Sequence, residues 1–302
     1  MMKNYDPVIA AKKLVISNTQ HGLSRHKFPE LAKEKISGVL TEVAHVSSLT
    51  QYAKWLIETK EKHLKNSNIA DAQKYLEYKA STCLQSTVSL ARQSINFHIL
   101  RASPIPFVAA KTATIPKDRA YTRKQIDLLV EMAHPALGLA ILLAEDAGLR
   151  EMELLSIAEV LSLNESDRPW CQERFSGRSD DVAFVVWGKG RLVRQVRLSE
   201  SLAERMRELL RPFPVRVAHR TAHLISHFEL LGGHLLSSQF GRLSMHILGF
   251  SNGAHGLRHS FAQRRRNELL CCGFSLDEAV LILSQELGHF SIKNTIAYLR
   301  DE

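Results

Sequence analysis

The feature that most constrains the fold is a helical apolar spacing that recurs through the first hundred residues and then stops. Apolar residues repeat at intervals of three and four over residues 28–44, after Ser48, and over residues 70–78 and 84–100. Such spacing places apolar side chains on one face of an α-helix. The pattern therefore predicts four short helices, the second beginning after Ser48, that pack into a compact all-α module.

The helical pattern gives way to a segment that combines prolines with basic residues. Residues 103–119 have no clear period, and they contain Pro104, Pro106, Pro116, Lys111, Lys117 and Arg119. Proline lacks a backbone N–H and disfavours helical conformation in the residue before it. We therefore predict an N-terminal extension over 1–30, a helical domain over 31–102, a basic linker over 103–119 and a second domain over 120–302.

Helix-start signals return in the second domain. Thr122 and Gln125 have the spacing of a capping box, and Ser275 and Glu278 have it again near the C-terminus. We expect a helix to begin at each pair, and a last short helix to carry Tyr298.

A single β interruption is predicted in this otherwise helical domain. Residues 182–187 are β-branched and aromatic, and residues 192–198 alternate apolar with basic residues after a Gly-Lys-Gly turn. The charged segment 164–181 is expected to be a surface insertion before the first strand. The predicted fold class is thus mainly α with a small antiparallel sheet.

Composition narrows the partner and the compartment. Lys and Arg number 40 against 31 Asp and Glu, and the net charge of +9 favours a polyanion without requiring one. The four cysteines include the adjacent pair Cys271 and Cys272 but no C-x-x-C spacing, which favours reduced thiols over a zinc site. The sequence has neither a long apolar stretch nor a secretory signal. We expect a cytoplasmic protein with no metal, no cofactor and no membrane contact.

Three separated clusters contain the residues that are candidates for catalysis or binding. They span residues 148–154, residues 188–190 and the segment from His255 to Tyr298. Taken singly, each has an ordinary explanation. Arg150 and Glu153 could form a surface ion pair, and Lys189 could be a solvated turn residue. His255 and His259 could bind zinc or pack in the core, and Tyr298 could be a packed aromatic residue.

Together and in this order, the clusters resemble the tyrosine recombinase family, which includes phage integrases and Xer-type recombinases. The family carries a Gly-Leu-Arg-x-x-Glu-Leu box, a Gly-Lys-Gly hairpin, a His-x-Leu-Arg-His box, a Leu-Gly-His box and a Tyr nine residues after the last His, all present here. The resemblance implies the catalytic residues Arg150, Lys189, His255, Arg258, His289 and Tyr298. It also implies that residues 31–102 form a core-binding domain, which closes on duplex DNA with a catalytic domain over 120–302.

The resemblance assigns a role to each residue. Tyr298 would attack a DNA phosphate and form a 3′-phosphotyrosine, while two arginines stabilise the charge on the non-bridging oxygens. Lys189 would protonate the departing 5′ oxygen, His255 would act in proton transfer, and His289 would steady the transition state. Glu153 would orient the first arginine. The protein–DNA ester conserves the bond energy, so neither ATP nor a metal is required.

The implied function is site-specific recombination on double-stranded DNA attachment sites by a homo-tetramer in the nucleoid, with accessory DNA-bending proteins as further candidate partners. Integration or excision of a mobile element is the favoured role. The alternatives are a dimer-resolving recombinase, a topoisomerase-like relaxing activity, and a catalytically silent DNA-binding protein of the same fold. Predicted DNA contacts outside the catalytic set are Lys111, Lys117, Arg119, Arg123, Lys124, Arg264 and Arg265.

Two features depart from the family pattern. The sequence ends four residues after Tyr298, whereas relatives have a further tail that docks into a neighbouring subunit. A truncated form and assembly contacts elsewhere both stay open. Residues 212–251 match only loosely, and their His223 and His227 have the spacing of helical metal ligands. Because Leu224 stands where a zinc protease has Glu, we expect surface histidines on a helix instead.

Overall fold

The structure is a computed structural model that describes residues 5–23, 28–112, 117–219 and 222–299. The chain divides into two compact units, and the boundary between them lies between residues 112 and 117. No described helix is both long and apolar enough to cross a bilayer.

The described part of the first unit is built from helices. They are α1 (Pro7–Ile16), α2 (Pro29–Glu34), α3 (Val39–Lys60), α4 (Ile69–Thr82) and α5 (Gln85–His98), with a 3-10 turn at Leu64–Asn66. Apolar and aromatic side chains of α3, α4 and α5 form its core, among them Leu49, Tyr52, Leu56, Tyr75, Leu76 and Ile95. Burial of these side chains is the main source of the unit's stability.

The predicted helix break before Ser48 is wrong, because α3 continues through this position. Ser48 faces Ser94 of α5, and the two hydroxyls form a hydrogen bond of 2.8 Å in a buried position. Each polar group satisfies the other, so the serine need not interrupt the helix.

The described residues at both ends of the first unit, which fall in the predicted N-terminal extension and basic linker, pack on this unit. Ala11 and Val15 of α1 are fully buried in the core, so the described part of the N-terminal extension is integral to this unit. Ile105 is buried as well, and its N–H donates to Asn96 Oδ1 at 2.9 Å. The Lys111 N–H donates to the Ala80 carbonyl at 2.8 Å. Residues 105–111 therefore pack along the first unit.

The second unit is mainly helical with two small antiparallel sheets. In chain order it contains α6 (Arg123–Glu131), α7 (Pro135–Asp146), β1 (Ala158–Glu159), β2 (Asp181–Trp187), β3 (Val193–Ser199), α8 (Glu200–Arg207), β4 (Leu210–His219), β5 (Ala222–Phe228), α9 (Gly233–Leu248), α10 (His255–Cys271), α11 (Leu276–Glu286) and α12 (Ile292–Ile296). Short 3-10 turns lie at Glu153–Leu155, Val160–Ser162 and Lys189–Arg191.

Local sequence signals are confirmed where they were sharpest. Both capping boxes are present, with Thr122 at the start of α6 and Ser275 at the start of α11. The predicted hairpin is β2 and β3, paired in register with Val185 opposite Gln195. The first strand, β1, precedes the 164–181 insertion instead of following it, and pairs with the far side of β2.

A second hairpin, β4–β5, is the main feature that the sequence did not predict. His223 and His227 lie on strand β5, so the expectation that they lie on a helix is wrong. The period of two is visible in β5, where Leu224, Ser226 and Phe228 are buried. In β4, prolines at 212 and 214 mask the pattern, and the register shifts between residues 210 and 215. Proline is compatible with a strand only at edges or irregularities of this kind.

Candidate active site

Residues from four separate segments line one cavity of about 1000 Å³ in the second unit. Arg150 follows the end of α7, His255 begins α10 and His289 lies between α11 and α12. Tyr298 lies two residues after α12, so the prediction that the last helix carries it is wrong. The cavity lining includes Arg150, Glu153, Arg194, His255, His289 and Tyr298. Lys189 lies in the turn between β2 and β3, and its side chain is outside the described part of the structure.

A single buried carboxylate gathers three guanidinium groups beside the cavity. Glu153 Oε1 lies 2.7 Å from Arg150 Nη1, and the two carboxylate oxygens each lie 2.9 Å from a nitrogen of Arg194. Arg258 Nη1 lies 3.8 Å from Glu153 Oε2. Burial raises the pKa of the Glu153 carboxyl, but the charges of Arg194, Arg150 and Arg258 outweigh burial and hold that pKa below its ordinary value. The cluster thus carries two positive charges in excess.

Arg258 is the most deeply buried arginine of this cluster. Its side chain is fully buried and donates to the carbonyl oxygens of Gly148 and Leu287. Its Nε has no hydrogen-bond partner among the described residues. Burial, then the nearby charge of Arg150, lowers the pKa of the Arg258 guanidinium below its ordinary value. A buried, under-satisfied cation of this kind is stabilised when an anion enters the cavity.

Arg194 is the site residue that sequence reasoning missed. It is 1% exposed, and its Nε also donates to the Glu286 carbonyl at 2.9 Å. The signal was present in strand β3, where Arg194, Val196 and Leu198 are all buried. Alternate residues of a strand share a face. The apolar residues at 196 and 198 thus place position 194 on the inner face, although an arginine there reads as solvent-exposed.

Two glycines allow the cluster to close. A Cβ on Gly188 would lie 2.7 Å from Glu153 Oε1, and a Cβ on Gly288 would lie 2.9 Å from Arg194 Cδ. Gly288 also has a φ of +68°, as expected for the residue that follows the end of α11. A side chain at either position would push the carboxylate and guanidinium groups apart.

Two contacts hold Tyr298: a hydrogen bond between its hydroxyl group and one histidine, and stacking of its ring on another. Its oxygen forms a hydrogen bond of 3.0 Å with His255 Nε2, and its ring stacks on His259 with centroids 4.4 Å apart. Burial, followed by the charges of Arg258 and other neighbours, lowers the pKa of His255 to about 3. The imidazole is therefore neutral at neutral pH and can accept the phenolic proton.

His289 is fixed on both ring nitrogens. Nδ1 lies 3.3 Å from Thr295 Oγ1, and Nε2 lies 3.3 Å from Arg258 Nη2. The threonine hydroxyl donates to the Ser291 carbonyl at 3.1 Å, so it accepts from Nδ1–H and leaves Nε2 as an acceptor. Burial and the charge of Arg258 lower the pKa of His289 to about 3. This ring too is neutral and oriented toward the arginine cluster.

The predicted DNA contacts outside the cavity differ in exposure and fall into three groups. Five are exposed at the surface: Lys111, Lys117, Arg119, Arg123 and Lys124. Arg264 is partly exposed and binds Glu145 at 2.9 Å. Arg265 is fully buried and binds Glu286 at 3.0 Å, so its prediction as a DNA contact is wrong. Successive helix residues point about 100° apart, and adjacent arginines on α10 cannot share the outer face.

The two depressed histidine pKa values predict an acid-sensitive second unit. Because the folded-state pKa lies below the value of about 6.5 expected in the unfolded chain, the unfolded chain binds more protons as pH falls below 6.5. We expect the free energy of unfolding to fall between pH 7 and pH 5 by up to about 2 kcal/mol for each histidine. Urea unfolding measures it in a Trp55→Phe variant, whose two remaining tryptophans lie in the second unit.

A pair of variants controls this pH experiment. His255→Asn with His289→Asn should flatten the dependence, whereas His246→Gln, at an exposed position of α9, should leave it unchanged. An equal slope in the wild type and the double variant would contradict the assignment of both neutral imidazoles.

Solved structures match the chain over most of its length. The XerH site-specific recombinase bound to palindromic difH substrate, in a post-cleavage complex, matches with a TM-score of 0.57 and 16% identity over 99% of this chain and 94% of that chain. A lambda integrase dimer bound to a COC′ core site matches with a TM-score of 0.57 and 16% identity over 99% and 82%. A lambda integrase tetramer bound to a Holliday junction matches with a TM-score of 0.56 and 14% identity over 95% and 80%.

At this level of identity the likeness establishes the fold. The chain has the fold of the tyrosine recombinases, as predicted from the sequence motifs. No protein-family model and no curated protein matches the sequence.

Proposed function

We propose that the chain is a site-specific DNA recombinase that cleaves and rejoins strands through a 3′-phosphotyrosine at Tyr298. The observation that carries the proposal is one cavity in which the Tyr298 hydroxyl, bonded to a neutral imidazole, lines the same wall as Arg150 of an arginine cluster with excess positive charge. This combination provides a nucleophile, a proton acceptor and donors for a phosphate in one place.

The charge of the cavity favours a phosphodiester. Arg150 is 21% exposed and the most accessible of the three guanidiniums, so it offers its fork to an entering phosphate. Arg258 is fully buried, and its Nε has no hydrogen-bond partner in the part of the chain that the structure describes. The matched structures are DNA-bound complexes, and the chain carries a net charge of +9. Duplex DNA is therefore the proposed partner, with the exposed residues Lys111, Lys117, Arg119, Arg123, Lys124 and the partly exposed Arg264 as further phosphate contacts.

In the proposed cleavage one bond to phosphorus forms as another breaks, and rejoining reverses both changes. The Tyr298 oxygen forms a bond to the scissile phosphorus as its proton passes to His255 Nε2, which lies 3.0 Å away. The bond from phosphorus to the 5′ oxygen breaks, and that oxygen takes up a proton from Lys189. Rejoining is the reverse attack by a 5′ hydroxyl, so the ester itself supplies the energy and the mechanism uses no ATP, metal or cofactor.

The assignment of Lys189 as proton donor makes a specific prediction. Lys189→Ala should slow cleavage of ordinary DNA by about 10²- to 10⁴-fold. The same variant should cleave at nearly the wild-type rate when sulfur replaces the bridging 5′ oxygen, because a thiolate leaves without protonation. Single-turnover adduct formation on the two substrates measures this, with Lys293→Ala, a change at an exposed lysine that lines the cavity, as the control. Equal defects on both substrates would remove Lys189 from this role.

The proposed biological role is integration or excision of a mobile element in the nucleoid, by a homo-tetramer on two attachment sites. The tetramer is supported by the likeness to a lambda integrase tetramer on a Holliday junction. Dimer resolution and topoisomerase-like relaxation would use the same cavity. Accessory DNA-bending proteins are further candidate partners.

Covalent trapping on DNA sites that the protein itself selects tests the proposed function. DNA sequences are first selected by binding from a random duplex pool, and the selected duplexes are then nicked close to each candidate cleavage position. Loss of the short fragment prevents rejoining, so a recombinase accumulates as a protein–DNA adduct that survives denaturation. We expect such an adduct on selected duplexes and none on scrambled ones. Tight, sequence-specific binding without any adduct would instead identify a catalytically silent DNA-binding protein.

A further inference from the structure

The loop formed by residues 164–180, which belongs to none of the recombinase motifs, is attached to the end of α11. The Cys171 N–H donates to Gln285 Oε1 at 2.6 Å, and the Phe175 N–H donates to Glu286 Oε1 at 2.9 Å. Both acceptor side chains come from the last turn of α11 and are buried. The loop is thereby fixed to the two residues that precede Leu287.

Trp170 forms a third attachment on the other side of the site histidine. Its ring packs against the ring of Phe290, with centroids 4.7 Å apart. The Arg174 guanidinium lies 4.0 Å from the Trp170 ring centroid and is itself held by Glu165 through bonds of 2.8 and 2.9 Å. Trp170 Nε1–H donates to the Ser166 carbonyl at 2.9 Å. The indole is thus anchored by its own loop and offers Phe290 a fixed surface.

Phe290 needs such a surface because its backbone is strained. Its φ is +49°, in the left-handed region that is unfavourable for residues with a Cβ. Gly288, two residues earlier, has a φ of +68°. The turn from α11 to α12 therefore contains two left-handed residues, one of which is held in place by packing and not by its own preference.

This turn contacts or connects three residues of the candidate site. The Leu287 carbonyl accepts from Arg258, and the His289 ring contacts the same guanidinium at 3.3 Å. The helix that follows the turn carries Thr295, which fixes the His289 ring, and it leads directly to Tyr298. A displacement of the turn would move the carbonyl that accepts from Arg258, the His289 ring and the segment that leads to Tyr298 together.

We propose that Trp170 is a positioning residue that holds the 287–290 turn, and with it His289 and Tyr298, in the arrangement required for strand cleavage. The inference rests on the proposed function for its catalytic consequence, but the positioning itself does not. Trp170 acts through Phe290 and lies outside every recombinase motif, so no motif search would select it.

The test compares three variants by single-turnover adduct formation at saturating DNA. Trp170→Ala should form the adduct about tenfold more slowly or worse, because small misplacements of reacting groups are costly, while DNA affinity stays within about twofold of wild type. Trp170→Phe keeps an aromatic surface for Phe290 and should restore most of the rate. Gln172→Ala, at an exposed position of the same loop, is the matched control. A wild-type rate in Trp170→Ala would overturn the proposal.

Hydrogen exchange separates this proposal from the proposed function. The amides of Gly288 and His289 donate to the carbonyls of Gln285 and Ser284 at 2.8 Å, so their exchange reports opening of the turn. We expect faster exchange at these amides in Trp170→Ala and unchanged exchange in Gln172→Ala. If neither the wild type nor any variant forms an adduct, the proposed function fails while faster exchange still supports positioning. Unchanged exchange in Trp170→Ala would overturn the positioning role whatever the adduct assay gives.

Discussion

Tyr298→Phe is expected to abolish the covalent protein–DNA adduct while leaving DNA affinity within about twofold of wild type. The substitution removes only the hydroxyl that is hydrogen-bonded to His255 Nε2, and the ring can keep its stacking on His259. Without an oxygen nucleophile at this position, no phosphotyrosine can form. Denaturing gels of trapped complexes, together with equilibrium binding to the same duplex, measure the two quantities.

The matched control for this loss of activity is another tyrosine. Tyr78 of α4 is 56% exposed and lies in the first unit, so Tyr78→Phe should form the adduct at the wild-type rate. An adduct that persists in Tyr298→Phe would show that another residue is the nucleophile. A strong loss of DNA affinity would show instead that the hydroxyl contributes mainly to binding.

Glu153→Ala is expected to have the largest effect on stability. The side chain is fully buried and is the carboxylate that faces Arg150, Arg194 and Arg258. Its removal leaves buried guanidiniums without a counter-charge, which typically costs about 3–5 kcal/mol. Urea unfolding of the second unit, followed by tryptophan fluorescence, should show a decrease of that size in the free energy of unfolding.

Two comparisons make the Glu153 experiment specific. Glu151→Gln removes a carboxylate two residues away that acts on Arg150 less strongly than Glu153 and Tyr298 do and is not part of the ion pairs of Glu153, and it should change the free energy of unfolding by less than about 0.5 kcal/mol. Sulfate should restore part of the stability lost in Glu153→Ala, because an anion in the cavity can replace the missing charge. A cost in Glu153→Ala no larger than that of Glu151→Gln would contradict the described charge cluster.

Helix starts and the first hairpin could be predicted because their signals are local. A capping box uses two side chains three residues apart, and the hairpin shows its period of two within one short run. The continuity of α3 could not be predicted in this way, because Ser48 is satisfied by Ser94 from another helix. The β4–β5 hairpin could not be predicted because two prolines in β4 interrupt the strand pattern. In the structure a register shift between the strands accommodates them.

In the candidate site, too, some residues could be predicted from the sequence and others depend on contacts between distant segments. Motif order and spacing were enough to select Arg150, Arg258, His289 and Tyr298 from distant parts of the chain, and the structure brings them together. Arg194 was missed because its role depends on which face of β3 is buried. The neutral state of the histidines follows from burial beside guanidinium groups, which no spacing rule contains.

The most direct test of the central claim is mass spectrometry of the adduct itself. Wild-type protein trapped on a selected duplex is digested with protease and nuclease, and the nucleotide-bearing peptide is sequenced. We predict a single modified peptide that contains Tyr298, with the nucleotide attached through its 3′ phosphate and a free 5′ hydroxyl on the released strand. A nucleotide on any other residue, or a 5′ phosphate linkage, would contradict the proposed chemistry.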